Sequence, residues 1–261
     1  MANLIKMDMR RLFMSKLFYV TMGITAFLNM VIMTAIPLIT KMFAPEAEAS
    51  VTKLSDILAN PFAIPWMLIA VYISMVSFSY ADMANGYIKN IAGQIPRKSD
   101  TVVSKFVVIG VHNLVFFAVS ALSMVLGNVI GSAFGTFTIE ADSMIMNGIL
   151  TLLLKWLLSM AICSILLLLT TGVRNKTLAA IVGVVFGTNT MALVYMGLNT
   201  AVANIFKTES FNLAMYMPDG LMGAVNVTAG TGVINAIVVS VVCIAVFFAL
   251  TIKVFNSRDI K

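Results

Sequence analysis

The chain has 261 residues, of which 60% are hydrophobic and only 11% are charged. Soluble domains contain about 45–50% apolar and about 25% charged residues, so this composition excludes a soluble enzyme, a disordered tail and a nucleic-acid-binding domain as descriptions of the whole chain. The net charge of +6 needs no acidic ligand, because basic residues in a membrane protein mark the cytoplasmic side and the anionic lipid surface.

The first predicted element is a helix over residues 2–16. Its apolar side chains share one face and its basic side chains lie largely on the other: Leu4, Ile5, Met9, Leu12 and Phe13 against Lys6, Arg10, Arg11 and Ser15. Such a helix lies in the membrane interface, with its apolar face in the acyl boundary and its basic face among the head groups. The alternative is a basic flank that only sets the topology.

Apolar runs long enough to cross a bilayer predict an all-α polytopic membrane protein with six transmembrane helices. The predicted spans cover residues 17–39, 61–81, 102–127, 146–171, 177–198 and 233–253. No linker rich in Pro, Gly or Ser separates them, so residues 1–261 are expected to form a single permease-like membrane domain. We find no convincing internal repeat and no inverted pair of broken helices.

The basic residues predict the orientation of these spans. With the N-terminus on the cytoplasmic side, 13 of the 17 Lys and Arg residues fall on that side and three on the outer side, while Lys155 lies inside a span. The positive-inside rule therefore predicts a multi-pass protein with both termini in the cytoplasm.

The predicted inner loop between spans two and three has a helical pattern of its own. Asp82 is a candidate N-cap, an apolar stripe follows, and Gly93 and Pro96 would end the helix. The stripe consists of Met83, Tyr87, Ile88 and Ile91. A short cytoplasmic amphipathic helix of this kind lies on lipid or docks into a groove of a partner protein.

The order of residues in this loop, with Asp82, Asn85-Gly86, Lys89-Asn90, Pro96-Arg97-Lys98 and Ser104-Lys105, resembles the permease subunits of type-2 ATP-binding cassette (ABC) exporters. The chain is most similar to permeases that work with a separate ATPase in bacterial export of lantibiotics and other antimicrobial peptides. Asp82 departs from the family pattern, since many relatives carry Glu there, and this shortens the reach of the acidic group.

The resemblance implies that residues 82–98 form a coupling helix, which fits a cleft on the ATPase and transmits its closure to spans two and three. The implied coupling residues are Asp82, Asn85, Gly86, Tyr87, Lys89, Asn90, Arg97 and Lys98. It also implies a bacterial cell membrane location, resistance to antimicrobial peptides as a role, and a second permease copy or a paralogue that completes a homo- or heterodimer.

Nucleotide chemistry is expected on another polypeptide. The chain lacks a G-x-x-x-x-G-K-[ST] loop, and its nearest basic run, residues 93–99, has no glycine before Lys98. We therefore expect no catalytic residue, metal site or cofactor in this chain, with ATP and Mg held by a partner ATPase, and no nucleic-acid partner.

Several polar residues fall inside the predicted spans, where an uncompensated polar group is costly. They are Asn29, His112, Asn113, Lys155, Thr188, Asn189 and Thr190. Some could line the translocation pathway, but for Asn29 and the 188–190 group we favour hydrogen bonds between helices. His112 has no carboxylate at ligand spacing, so a packed, hydrogen-bonded histidine is favoured over a proton relay.

Lys155 allows three interpretations. It could contact an anionic group of a substrate or lipid, it could pair with Glu140 or Asp142, or its stem could extend to the outer head groups. A buried lysine costs at least about 2.5–3.5 kcal/mol on insertion scales, so a partner or water is expected.

Residues 199–232 form a long and partly apolar segment, which is interrupted by the turn signal Met217-Pro218-Asp219-Gly220. Residues 211–229 are too interrupted to span a bilayer and too apolar for an exposed loop, so a re-entrant outer hairpin before span six is predicted. A loosely packed surface loop is the alternative.

Together these features favour the permease subunit of an ABC exporter for a hydrophobic or amphipathic substrate, with a peptide as the first candidate. The alternative is a secondary transporter or channel that is not coupled to ATP, which should show paired intramembrane charges, broken helices or repeats. A membrane-embedded enzyme is disfavoured, because His112 stands alone and the predicted spans contain no carboxylate.

Overall fold

The computed structural model describes residues 1–43, 50–84, 97–134, 137–206 and 212–257. Five helices in this part of the chain are long and apolar enough to cross a membrane, and a sixth span results if one bent helix pair is counted as a single crossing. In a helix the backbone N–H and C=O groups bond each other, which is necessary because the lipid interior offers them no hydrogen-bond partners. The protein is thus an all-α, multi-pass membrane protein, as the sequence predicts.

The first half of the chain consists of α1 (Ala2–Phe13), α2 (Lys16–Phe43), β1 (Ser50–Lys53), α3 (Leu54–Ala59), a 3-10 turn (Pro65–Met67) and α4 (Leu68–Ala84). The second half begins with α5 (Lys98–Ser132), β2 (Phe137–Glu140), α6 (Ile145–Leu167) and a π turn (Leu168–Gly172). It continues with α7 (Lys176–Gly187), α8 (Met191–Phe206), a 3-10 turn (Leu213–Tyr216), α9 (Pro218–Ala224) and α10 (Val233–Ser257).

The helix bundle has two distinct ends. At one end, which we call the Asp82 end, α1 packs against the beginning of α5 and the last turn of α4. At the other, the strand end, β1 and β2 form a parallel two-stranded ribbon in which Ser50 pairs with Phe137 and Lys53 with Glu140. The predicted elements include neither β1 nor α3, which lie between the first two predicted spans.

The core is formed mainly by α4, α5 and α6. Tyr72, Met75, Phe116, Phe117 and Leu166 are all at most 1% exposed and belong to one hydrophobic cluster. By contrast, only 17% of the most apolar stretch of α2 and 11% of that of α10 is buried within the chain. These two helices present apolar side chains outward, as expected of surfaces that face lipid or another subunit.

Helix α1 packs on the protein and does not present its whole apolar face to lipid. Leu12 is 1% exposed, and Ile5 and Met9 pack against the central cluster. Arg11, which was predicted on the polar face, contacts two carboxylates of the bundle. The helix predicted over residues 2–16 is thus present as α1, and much of its apolar face is covered by the spans.

The predicted span over residues 177–198 is bent. Helix α7 ends at Gly187 and α8 begins at Met191, and the two axes differ by 72°. Asn189 adopts a left-handed conformation with φ of 59°, and the hydroxyls of Thr188 and Thr190 donate to the carbonyls of Val184 and Val185. The predicted hydrogen bonds between helices are wrong for these hydroxyls, since the bonds are local and close the end of α7.

The region after the bend is helical over much of its described length. Helix α8 extends to Phe206, and α9 begins at Pro218, within the predicted turn. Leu221 and Val225 pack against Leu158 of α6 and Ala236 of α10. A loosely packed surface loop is excluded for this part of the segment, because its apolar side chains are buried against two spans.

Candidate functional site

Four charged residues from three helices meet at the Asp82 end, and we call them the charge cluster. They are Asp8 and Arg11 of α1, Asp82 of α4 and Lys105 of α5. Arg11 contacts one carboxylate oxygen of Asp82, and Lys105 Nζ contacts the other. Arg11 also lies 3.5 Å from Asp8, whose second oxygen accepts a hydrogen bond of 2.6 Å from Ser104 Oγ.

The charge cluster is largely removed from solvent. Asp8, Asp82 and Lys105 are 2%, 3% and 1% exposed, whereas Arg11 is partly exposed. Burying a charge is costly unless it is paired and hydrogen-bonded, and two acids with two bases leave no formal excess charge here. The cluster therefore joins α1, α4 and α5 through contacts that are expensive to break one at a time.

Its place in the chain connects the charge cluster to the predicted coupling segment. Asp82 lies in the last turn of α4, which ends at Ala84, and α5 begins at Lys98. Asp82 therefore does not cap a following helix, as the sequence reasoning predicted, but closes a buried ion pair between the helices on either side of the segment. Arg97 is exposed and precedes the first turn of α5.

The other predicted coupling residues, Asn85, Gly86, Tyr87, Lys89 and Asn90, lie outside the described residues, so the structure describes only residues 82–84, 97 and 98 of the predicted coupling segment.

Asn29 forms the interhelical hydrogen bonds that were predicted for it. It is fully buried, and its Nδ2 donates to Ser120 Oγ at 2.7 Å and to Ser123 Oγ at 3.0 Å. Its Oδ1 accepts from the backbone N–H of Ala63 at 3.0 Å. This residue thus ties α2 to α5 and to the segment before α4, and its role here is structural.

His112 and Asn113 are also packed between helices. His112 Nε2 lies 3.0 Å from Ser74 Oγ, and its ring contacts Phe18 and Phe116. Asn113 Nδ2 donates to Ser159 Oγ at 3.1 Å. This geometry agrees with a packed, hydrogen-bonded histidine.

Lys155 lines a cavity between α4, α6, α7 and α9. The side chain is 8% exposed, so it does not extend to the surface, and its Nζ donates to Asn60 Oδ1 at 2.8 Å. Neither of the predicted carboxylate partners forms an ion pair with it: Asp142 instead accepts from Ser55 Oγ at 2.6 Å, and Glu140 lies exposed in β2.

The cavity has a volume of about 150 Å³ and an amphipathic lining. Phe62, Phe117, Ile162 and Phe186 are among its apolar walls. Its polar side chains are Asn60, Lys155, Asn189 and Asp219.

Asp219 brings a second buried charge to the same cavity. It is 6% exposed, and its Oδ1 accepts a hydrogen bond of 2.6 Å from Tyr195 of α8. Its Oδ2 has no hydrogen-bond partner among the described residues. Burial raises the pKa of this carboxyl, while the bonds to Tyr195 and to nearby backbone amides act in the opposite direction.

A metal centre is not indicated by the geometry. Within the described ranges, no three His, Cys, Asp or Glu side chains lie together as metal ligands would. The two chemical centres are therefore the charge cluster at the Asp82 end and the cavity around Lys155 and Asp219.

No family model matches the chain, and no curated protein sequence matches it. The class of multi-pass membrane protein rests on the helices themselves. The function is accordingly inferred from the geometry of the two centres and from the sequence pattern.

Sequence reasoning missed most of the residues that complete these centres. Asp8 and Arg11 were counted only as topology signals or as a basic face, and Lys105 only as a basic residue and as part of the family resemblance, although an acidic residue inside a basic amphipathic helix is a signal for a buried partner. Asp219 was predicted only as part of the turn signal at residues 217–220, and Asn60 was not singled out. The burial of Asp219 depends on how α9 folds back onto the spans, which hydropathy does not encode.

Proposed function

We propose that the chain is the membrane-spanning permease subunit of an ABC exporter that moves a hydrophobic or amphipathic substrate, with a peptide as the first candidate. A separate cytoplasmic ATPase binds ATP and Mg and supplies the energy. A second copy of the chain, or a paralogue, completes the pathway. In this assignment the Asp82 end faces the cytoplasm of a bacterial cell.

The charge cluster is the observation on which the proposal chiefly depends. Asp82 and Lys105 link the helices that flank residues 85–96, and Arg11 links both to α1. A displacement applied to this segment would move the three helix ends together, because separating them would leave buried charges without partners. A coupling element requires such stiffness, since a flexible attachment would absorb the displacement.

Two further features support the proposal. With the Asp82 end on the cytoplasmic side, 13 of the 17 Lys and Arg residues are predicted to fall on that side, as is expected of a face that docks a soluble partner. The outward apolar surfaces of α2 and α10 leave room for contact with a second permease subunit.

Co-purification with the ATPase tests the proposal. The candidate partner is the product of a neighbouring reading frame that contains a G-x-x-x-x-G-K-[ST] loop. We expect the wild-type chain to bind it and to stimulate substrate-dependent ATP hydrolysis in proteoliposomes. Lys89→Glu reverses the charge in the predicted coupling segment and should weaken the association about tenfold, while membrane insertion is retained.

Lys53→Glu is the matched control, because it makes the same charge change on an exposed residue of the strand end. It should bind the ATPase like the wild type. Equal association and equal coupling for both variants, or a wild-type chain that binds no ATPase, would contradict the proposal.

A transporter that is not coupled to ATP is the second candidate. It is favoured by the bent α7–α8 pair and by the cavity that holds Lys155 and Asp219, since broken helices and opposite charges near the membrane interior are features of ion-coupled carriers. Substrate uptake by vesicles that contain this chain alone, driven by a proton or sodium gradient, would support this candidate against the first.

A further inference from the structure

The cavity between α4, α6, α7 and α9 holds two opposite charges that do not neutralise each other. Lys155 and Asp219 both line it, yet their charged groups do not come within the 4.0 Å of an ion pair. In an apolar surrounding, unpaired charges of opposite sign are expected to close on each other or to hold something between them.

Each of the two groups has unused hydrogen-bonding capacity. Asp219 Oδ2 is buried and has no partner in the described chain, while Tyr195 holds Oδ1 of the same carboxylate. Lys155 is also buried, and of its three donors one bonds Asn60 within the described residues. Asp219 Oδ2 can therefore accept a further hydrogen bond, and Lys155 can donate further ones.

The volume and the apolar walls of the cavity limit which ligands can fit. A cavity of about 150 Å³ far exceeds the ~10–15 Å³ that one water needs, and it matches the size that accepts a benzene ring. A group of about six to eight heavy atoms therefore fits, with a short hydrocarbon chain lying against aromatic side chains such as Phe62 and Phe186.

We propose that this cavity binds a small zwitterionic group, in which a primary ammonium is joined by a short chain to a phosphate or carboxylate. The ammonium donates to Asp219 Oδ2, and the anionic group accepts from Lys155 Nζ. A ligand with a single charge would pair with either Lys155 or Asp219 and would be repelled by the other residue. A quaternary ammonium carries no N–H donor and would leave Asp219 Oδ2 unpaired.

The proposal goes beyond the exporter function, because the binding step needs neither ATP nor an ATPase. The same chemistry can come from a lipid head group, as in phosphatidylethanolamine, or from a free molecule such as ethanolamine phosphate. The experiment below separates these two sources.

The test measures lipid binding to the purified full-length chain in detergent by native mass spectrometry. Phosphatidylethanolamine is compared with phosphatidylcholine of the same acyl chains, in which three methyl groups replace the N–H donors. We expect the wild-type chain to prefer phosphatidylethanolamine by about tenfold, the effect of one hydrogen bond to a charged group. Free ethanolamine phosphate is then added as a competitor, and its own binding is measured by calorimetry.

Two variants of nearly unchanged side-chain size test which residue binds the ammonium and which binds the anionic group. Asp219→Asn should remove the preference for the primary ammonium, while Lys155→Met should weaken the binding of both lipids about tenfold. Asp56→Asn makes the first change on an exposed residue of α3 and should bind like the wild type.

A steric variant tests the cavity itself. Gly223 lines the cavity, and a Cβ placed there meets no atom within 4 Å, so a larger side chain can begin there without a clash and Gly223→Leu is expected to occupy part of the cavity. Gly197→Leu is its control, because Gly197 lies in α8 with equally open surroundings and does not line the cavity. Blocked binding in the first variant and normal binding in the second is the expected pair of results.

The outcomes are distinct. The site binds a free zwitterion if ethanolamine phosphate competes with the lipid. The same conclusion follows if ethanolamine phosphate binds while neither lipid is preferred. Preference for phosphatidylethanolamine without such competition supports the lipid as its source. If the wild-type chain shows neither effect, or if Asp219→Asn and Gly223→Leu bind like the wild type, the proposal is wrong. The exporter assignment is unaffected by that result, since its own test measures ATPase association.

Discussion

At the scale of single residues, the buried charges of this protein are chiefly connectors between helices. Asp82 is the most connected of them, because its two oxygens contact residues from two other helices. In a chain that is only 11% charged, placing charges in the interior has a high desolvation cost, which good geometry must offset. Removing one partner should therefore cost more than removing a whole pair.

Asp82→Asn tests this directly. The change keeps the size of the side chain but leaves Lys105, which is 1% exposed, without its counter-charge. We expect the free energy of unfolding in detergent to fall by about 3–5 kcal/mol. The double variant Asp82→Asn/Lys105→Met should recover much of this loss, because no unpaired buried charge remains at the pair.

The control for this series is the exposed Asp56, where Asp56→Asn should change the stability by less than ~0.5 kcal/mol. If Asp82→Asn had an equally small effect, the charge cluster would not hold the three helices together.

At the scale of elements, glycines set how closely the helices approach. The sequence shows G-x-x-x-G spacings at residues 127–131–135 and 183–187, which allowed helix contact or a subunit interface. The contacts of Gly127 and Gly187 lie within the chain: Gly127 faces Met30 and Met33 of α2, and Gly187 faces Ile69 of α4. These two glycines thus position α5 on α2 and α7 on α4.

Gly127→Ala should destabilise the pair of α2 and α5. A Cβ at this position would lie 2.9 Å from Met33 Cβ and 3.0 Å from Met30 Cα, so the helices would have to separate. We expect a loss of about 1–3 kcal/mol of stability, measured by thermal or denaturant unfolding in detergent.

Gly23→Ala provides the comparison, because a Cβ there meets nothing within 4 Å. Its higher helix propensity should leave stability unchanged or raise it by up to ~1 kcal/mol. A loss of the same size in both variants would mean that helix contact at Gly127 is not the cause.

At the scale of the whole molecule, hydropathy and basic residues predict the architecture far better than the sites. Five of the six predicted spans correspond to single long helices among the described residues, since an apolar run in lipid has little alternative to a helix. The bend at Asn189 was missed. The stretch 177–198 is apolar except for a short polar triplet, which resembles the polar residues found in ordinary membrane spans. The ribbon was missed as well, because β1 and β2 acquire partners only through tertiary packing.

The residues of the candidate sites could be predicted from the sequence only in part. Asn29 and His112 could be predicted as packed polar residues, because each stands in a long apolar run. The pairing of Asp82 with Lys105 and the presence of Asp219 and Lys155 in the lining of one cavity could not, because they depend on contacts between elements that are distant in the chain. A single sequence carries no direct record of such contacts.

Orientation is the whole-molecule property that remains to be measured. In a Cys243→Ser background, which leaves only the buried Cys163, we expect Lys53→Cys to react with a membrane-impermeant thiol reagent in intact cells. Lys98→Cys should react only after the membrane is opened, because the positive-inside rule places the Asp82 end in the cytoplasm. The reverse labelling pattern would invert the assigned topology and remove the basis for ATPase docking at residues 85–96.

The parallel ribbon has a consequence for the order of assembly. Ser50 reaches the strand end as soon as α2 has been inserted, but its partner Phe137 arrives only after α4 and α5 have both crossed. Until then β1 has no β2 to pair with, and closing a loop of this length carries an entropic cost. The ribbon is thus expected to form late in assembly. Once formed, it joins the segment after α5 to the segment after α2, and it can form only when α1 to α5 are all in place.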